Sequence, residues 1–152
     1  MIEFVLEMLF STGEYEKGDE MLRSFWGGMV KAGATTFWEM YIEGETMETA
    51  TEMYARPFGR SYCHIWGAGP LYVVPRFYFG IRAENFGDTF VVEPNLALVK
   101  GCSIKVPLKK GELDVAISLE GEVTVCACGS SGRLVLNGKS YSVKNGEKIS
   151  VK

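Results

Sequence analysis

The spacing of apolar residues changes once along this chain of 152 residues, and this change constrains the fold more than any other feature. In residues 2–10, apolar side chains recur three and four positions apart, which is typical of one face of a helix. In residues 113–119 they alternate with polar ones, as in a half-buried strand. We therefore predict an α+β chain, with a helical segment over residues 1–86 and a small antiparallel β-sandwich over residues 87–152.

The distribution of charge changes at the same place. Residues 1–86 carry 12 acidic and 7 basic side chains, a net charge of -5, whereas residues 87–152 carry 7 and 9, a net charge of +2. We interpret this coincidence as a domain boundary. The overall charge of -3 argues against nucleic-acid binding, which normally needs a basic surplus.

The chain shows no sign of a membrane or secretory segment. No stretch approaches the ~20 apolar residues of a membrane helix, and the N-terminus resembles no signal peptide. Of the four cysteines only Cys126 and Cys128 are close, and His64 is the single histidine, so we predict neither a metal site nor a cofactor. A cytoplasmic protein with reduced thiols is expected.

Three helices and a less regular stretch are predicted for the first domain. The first helix covers residues 2–10 and is apolar over so much of its circumference that it needs neighbours on several sides. The second runs from a cap at Thr12 to about residue 32, where Gly33 ends it. Residues 42–60 form an acidic loop or a short helix, and an apolar helix begins at Pro70 and is kinked or ended by Pro75.

Tight turns mark the β domain. Glu120-Gly121 predicts a tight hairpin turn because it lies between two alternating runs. Asn137-Gly138 and Asn145-Gly146 are stronger hairpin signals, because both central positions of a type I′ turn need positive φ. About seven short strands are expected, which suits a small antiparallel sandwich or an open barrel.

A carboxylate among aromatic rings is the main chemical signal. Glu39 follows Trp38, and His64 and Trp66 lie in a second aromatic-rich run. Rings stack on the apolar faces of a pyranose, and a carboxylate moves a proton or holds a water, so this combination is typical of a sugar-cleaving site. Trp26 lies on the apolar stripe of the second helix and is assigned to the core, whereas Arg60 is either a ligand for a carboxylate or sugar hydroxyl, or simply exposed.

Several blocks in order resemble the C-terminal end of bacterial α-L-rhamnosidases, glycoside hydrolase family 78. The blocks are residues 26–29 (WGGM), 32–39 (AGATTFWE), 61–70 (SYCHIWGAGP), 80–82 (GIR) and 93–94 (EP), and the resemblance covers about residues 1–110.

This resemblance implies the last helical hairpins of an (α/α)6 barrel, followed by a β-sandwich, and inverting hydrolysis of rhamnosides. It implies that Glu39 is the general base, that His64 lies near the sugar, and that Trp38 and Trp66 line the pocket. Tyr41 stands where the family usually has a second tryptophan, and a phenol can still stack. The family's general acid lies on earlier barrel helices that this chain lacks.

Three hypotheses follow for the missing acid. The chain is the C-terminal portion of a rhamnosidase-like glycosidase that works beside a separate chain carrying the rest of the barrel. Alternatively, it is a non-catalytic module that binds a rhamnoside-type carbohydrate, or a structural module. Finally, it is a small enzyme that takes an acid from the acidic loop (Glu43, Glu45, Glu48 or Glu52) and completes its pocket as a homo-oligomer.

Overall fold

The computed structural model describes residues 2–50, 52–53 and 56–152 of a mixed α and β protein. The chain divides into two compact units, an N-terminal unit, Met1–Val73, and a C-terminal unit, Val74–Lys152. Three α-helices lie in the described part of the N-terminal unit: α1 (Ile2–Ser11), α2 (Tyr15–Lys31) and α3 (Pro70–Val73). The α+β class is thus confirmed, whereas the barrel inferred from the resemblance stays a prediction.

Two glycines let large rings lie against the backbone of α2. A Cβ atom at residue 18 would lie 2.8 Å from the ring of Phe10, which is itself 2% exposed. A Cβ atom at residue 28 would lie 2.2 Å from the ring of Tyr41. Small residues at these two positions therefore fix both the packing of α1 on α2 and the path of the chain after α2.

The ends of α2 confirm one predicted signal and correct another. Gly33 has φ +94, and the amide of Ala34 donates to the carbonyl of Met29, so the helix ends where expected. Thr12 does not cap α2. Its hydroxyl donates back to the carbonyls at the end of α1, and Glu14 occupies the N-cap position, where its side chain makes no capping hydrogen bond to the helix.

The apolar segment after residue 64 forms short helical pieces. A 3-10 turn covers Ile65–Gly67, α3 begins at Pro70 as predicted, and it ends at Val73, two residues before Pro75. The early end agrees with the expectation that Pro75 limits this helix. One π-helical turn, Val74–Tyr78, follows in the C-terminal unit.

Two four-stranded sheets make up most of the C-terminal unit. The strands are β1 (Ile81–Glu84), β2 (Thr89–Val92), β3 (Cys102–Pro107), β4 (Glu112–Ile117), β5 (Val123–Cys128), β6 (Ser131–Leu136), β7 (Lys139–Val143) and β8 (Lys148–Val151). One sheet has the order β1-β2-β6-β7 and the other β3-β4-β5-β8. Pairing is antiparallel except between β2 and β6, which run parallel. The predicted domain boundary at 86/87 stays a prediction, and β1 lies on its N-terminal side.

The predicted hairpin turns have different outcomes. Asn137-Gly138 joins β6 to β7 with positive φ at both residues, as expected. Asn145-Gly146 is not a hairpin, because β7 and β8 belong to different sheets. The turn is instead anchored near the end of β5, where the Asn145 side chain accepts the amide of Gly129 at 2.7 Å.

Alternating side chains form the core of the C-terminal unit. In β4 and β5, every second residue is buried, and β6 and β7 contribute further buried residues from the other sheet. These core side chains are Leu113, Val115, Ile117, Val123, Val125, Ala127, Leu134, Leu136 and Val143. The alternation confirms the strand predicted from residue 113 as far as Ile117, whereas Leu119 lies exposed in the turn after β4.

Candidate functional site

Two loop segments of the N-terminal unit bring Glu39 and His64 together. The amide of Glu39 donates to the carbonyl of Ser61 at 2.9 Å, and the amide of His64 donates to the carbonyl of Phe37 at 2.8 Å. The hydroxyl of Thr36 adds a bond to the carbonyl of Tyr62. The two aromatic-rich runs singled out in the sequence thus lie side by side, held mainly by backbone hydrogen bonds.

The Glu39 carboxylate has one occupied and one available oxygen. Its Oε2 accepts the amide of Ser61 at 2.9 Å and lies 3.9 Å from Nδ1 of His64. Oε1 has no hydrogen-bond partner among the described residues. A separation of 3.9 Å is too long for a direct hydrogen bond, but it suits a hydroxyl or water that contacts both groups. The two side chains are 34% and 36% exposed, so such a ligand can reach them.

Trp38 lies beneath this site and not on its surface. Its side chain is 2% exposed, and its ring centroid is 5.1 Å from that of Tyr62 at an angle of 45°. Its carbonyl is so close to residue 67 that a Cβ atom there would approach to 2.3 Å, which explains why Gly67 is needed. The sugar-binding role assigned to Trp38 stays a prediction, and in this structure its ring supports the Glu39 segment from below.

Trp66 presents an accessible ring. It is 68% exposed on the 3-10 turn that directly follows His64. The turn is fixed from the core, because the indole N–H of Trp26 donates to the carbonyl of Gly67 at 2.7 Å. Trp26 is 6% exposed, which confirms its assignment to the core. Of the two predicted stacking indoles, Trp66 is the one whose face a ligand can contact.

Tyr41 lies in a different place from the other predicted site residues. It lines a cleft of about 530 Å³ on α1 and α2, which contains none of Trp38, Glu39, His64 or Trp66. The lining residues of this cleft, called the α1–α2 cleft below, are Ile2, Val5, Lys17, Glu20, Met21, Ser24, Phe25, Tyr41 and Glu43. The structure therefore brings Glu39, His64 and the Trp38 backbone together and places Tyr41 elsewhere. The cleft was not predicted from the sequence.

A buried ion pair supports the segment that binds Glu39. Both terminal nitrogens of Arg60 donate to Glu45, one of them at 3.1 Å, and the two side chains are 4% and 13% exposed. Burial alone would raise the pKa of the Glu45 carboxyl, but the bonds from Arg60 and from the amide of Ile42 outweigh it and lower that pKa. Arg60 directly precedes Ser61, so the pair anchors the residue whose amide holds Glu39.

A general acid needs a carboxyl whose pKa is raised. In the acidic loop, the two carboxyls whose pKa clearly departs from its ordinary value are both shifted downward. The pKa of Glu45 is lowered, and so is that of Glu48, whose carboxylate accepts the hydroxyl of Thr46 at 2.6 Å. Glu43 lines the α1–α2 cleft and Glu52 is exposed. Neither Glu45 nor Glu48 is therefore suited to protonate a leaving group near neutral pH.

Metal ligands and membrane-spanning helices were sought in residues 2–50, 52–53 and 56–152. The four cysteines are free thiols, and no group of three or more histidine, cysteine or carboxylate side chains in these ranges is arranged to hold a metal ion. In the same ranges, no helix is both long enough and apolar enough to cross a bilayer.

Comparison with known proteins gives no further assignment. Neither the protein-family models nor the curated proteins contain a match to this chain.

Proposed function

We propose that this chain is the C-terminal portion of an α-L-rhamnosidase-like inverting glycoside hydrolase, in which Glu39 is the general base. The observation that carries the proposal is the available Oε1 of Glu39, beside an imidazole 3.9 Å from the other oxygen of the same carboxylate. In an inverting reaction a carboxylate removes a proton from the water that attacks the anomeric carbon. Fixed by Ser61, Glu39 has one oxygen free for that water.

Two neighbouring side chains complete the proposed sugar site. The imidazole of His64 is 36% exposed and offers a donor or an acceptor to a sugar hydroxyl. The indole of Trp66, 68% exposed, offers a flat apolar surface for one face of the pyranose. Trp38 contributes indirectly, since its buried ring fixes the backbone that carries Glu39.

The proposed general acid comes from a second chain that carries the rest of an (α/α)6 barrel. Support for such a partner is the apolar surface of α1 and α3, where Phe4, Met8 and Leu71 are 66%, 55% and 69% exposed. In this proposal α1 and α2 are the last hairpin of that barrel, and the two sheets of the C-terminal unit pack as a β-sandwich.

A substrate that needs no acid tests the base alone. Dinitrophenolate leaves without protonation, so we expect the isolated chain to hydrolyse 2,4-dinitrophenyl α-L-rhamnoside slowly, with a general-base contribution on the order of 10²-fold. The variant Glu39→Gln should lose this rate, and Glu16→Gln, a matched charge removal on α2, should keep it. Proton NMR of the first product should show the inverted anomer. Equal rates for wild type and Glu39→Gln, or retained stereochemistry, would overturn the proposal.

A non-catalytic carbohydrate-binding module is the second candidate, favoured by the exposed Trp66 ring and by the lowered pKa values of Glu45 and Glu48. It predicts that L-rhamnose shifts the indole N–H resonance of Trp66 in wild type and in Glu39→Gln alike, without turnover of the activated substrate. Loss of that shift in His64→Ala would locate the binding, and no shift with any deoxyhexose would leave only a structural role.

A further inference from the structure

The α1–α2 cleft has the chemistry of a small-molecule site, and it goes beyond the proposed glycosidase function. Its volume of about 530 Å³ lies within the range typical of ligand pockets. One helix contributes apolar side chains at Ile2 and Val5, the other contributes Met21 and Phe25, and the ring of Tyr41 closes a further side.

The rings of the cleft are held in place by the core. Tyr41 lies against Gly28, where even a methyl group would approach its ring to 2.2 Å. Phe25 meets the buried Trp26 edge to face, with ring centroids 4.9 Å apart at 80°. Two aromatic rings are thus available in fixed positions, and the face of an aromatic ring attracts cations.

The cleft is lined by two acidic side chains and one basic side chain. Lys17 is the one cation in its lining, and its ammonium is already paired with Glu14 at 2.7 Å, outside the lining. Glu20 and Glu43 both line the cleft and have no ion-pair partner among the described residues. An apolar cleft with two aromatic rings and two unpaired carboxylates is complementary to a cation with an apolar body.

We propose that the α1–α2 cleft binds a small organic ammonium ion that carries an aryl or alkyl group. The apolar group lies between α1 and α2, and the ammonium group lies near Glu20 and Glu43, with the rings of Phe25 and Tyr41 adding cation–π attraction. An anion of similar shape is excluded by the two carboxylates. A neutral analogue keeps the apolar contacts and loses the electrostatic ones.

Three probes of nearly equal shape test this assignment by ¹H–¹⁵N NMR titration of the full chain. They are 2-phenylethylammonium, 2-phenylethanol and 3-phenylpropanoate. We expect the ammonium to shift the amide resonances of the lining residues, notably Ser24 and Tyr41, and to bind at least fivefold more tightly than the alcohol. The propanoate should not bind, and raising the salt concentration should weaken ammonium binding.

Single carboxylate variants separate this cleft from general charge effects. Glu20→Gln and Glu43→Gln should each weaken ammonium binding roughly two- to fivefold, as expected for exposed charge pairs. Glu16→Gln, on the same helix but outside the cleft, should leave it unchanged. L-Rhamnose should not compete, which keeps this test independent of the Glu39 site.

Three outcomes would overturn the proposal. The first is equal affinity for the ammonium and the alcohol, which would make the cleft merely apolar. The second is equal affinity of wild type, Glu20→Gln and Glu43→Gln. The third is binding of an amphipathic lysine-leucine peptide to this face without binding of the small ammonium, which would make it a protein-docking surface.

Discussion

Removing the Glu45 carboxylate should destabilise the N-terminal unit far more than removing an exposed one. Arg60 is 4% exposed and Glu45 is 13% exposed, so the change Glu45→Gln leaves a guanidinium buried without its counter-charge. Breaking a buried pair in this way costs about 3–5 kcal/mol, and since the amide oxygen of glutamine still accepts one bond, we expect ~3 kcal/mol. The Lys17–Glu14 pair is 70% and 48% exposed, so Glu14→Gln should cost much less than Glu45→Gln.

Urea unfolding followed by tryptophan fluorescence measures this difference. All three tryptophans lie between residues 26 and 66, so the signal reports on the N-terminal unit. With a slope of about 1 kcal/mol per molar urea for so small a unit, the Glu45→Gln midpoint should fall by roughly 3 M. A shift no larger than that of Glu14→Gln would contradict this prediction, because it would mean that Arg60 needs no counter-charge.

A double-mutant cycle and a pH series sharpen the test. In the double variant Glu45→Leu with Arg60→Met, most stability should return, with a coupling free energy of about 2 kcal/mol or more. The pKa of the Glu45 carboxyl is lower in the folded state than its ordinary value of 4.5. The stabilisation is therefore present above pH 4.5 and is lost as the pH falls through the folded-state pKa, so wild type and Glu45→Gln should converge in acid.

Two further substitutions have expected outcomes. Gly28→Ala should destabilise the protein by ~1–3 kcal/mol in the same urea assay, because the new Cβ would lie 2.2 Å from the Tyr41 ring. Gly27→Ala has room for its Cβ and should stabilise the protein by up to ~1 kcal/mol. Equal effects of the two variants would contradict the close packing of Tyr41 on Gly28. Arg133 makes two hydrogen bonds of 2.7 Å to Glu84 and holds the pKa of that carboxyl below its ordinary value. Arg133→Met should therefore raise the pKa of Glu84 in a ¹³C NMR titration, and Arg133→Lys should raise it less.

Local sequence signals predicted local structure such as turns, but they did not predict which distant strands pair. Asn137-Gly138 forms its hairpin because the turn depends on φ at two residues alone. Asn145-Gly146 has the same composition, yet it lies between strands of different sheets, since β8 pairs with β5. The parallel pairing of β2 with β6 likewise depends on which apolar faces meet, and a pattern of period two does not specify the partner strand.

At the candidate site, too, the sequence predicted some features and not others. The sequence blocks identified Glu39 and His64, and the structure brings their side chains to 3.9 Å. The burial of Trp38 was not predicted, although the alternation of side chains along an extended segment explains it. In an extended segment neighbouring side chains point to opposite sides, so a Glu39 that faces solvent requires a Trp38 that faces the core. The pairing of Arg60 with Glu45 could not be predicted from the sequence, because Glu45 lies in an irregular loop.

The direction of the shifted carboxyl pKa values bears on which residues could donate the proton in the proposed reaction. An inverting glycosidase needs one carboxyl that stays protonated near neutral pH, which requires a raised pKa. Every described carboxyl whose pKa departs clearly from its ordinary value is shifted the other way: Glu3, Glu45, Glu48, Glu84 and Asp88. In Glu45 and Glu48 this shift comes from hydrogen bonds that the loop itself makes. Those bonds would have to break before either residue could act as the acid, so neither Glu45 nor Glu48 is a ready proton donor for the proposed reaction.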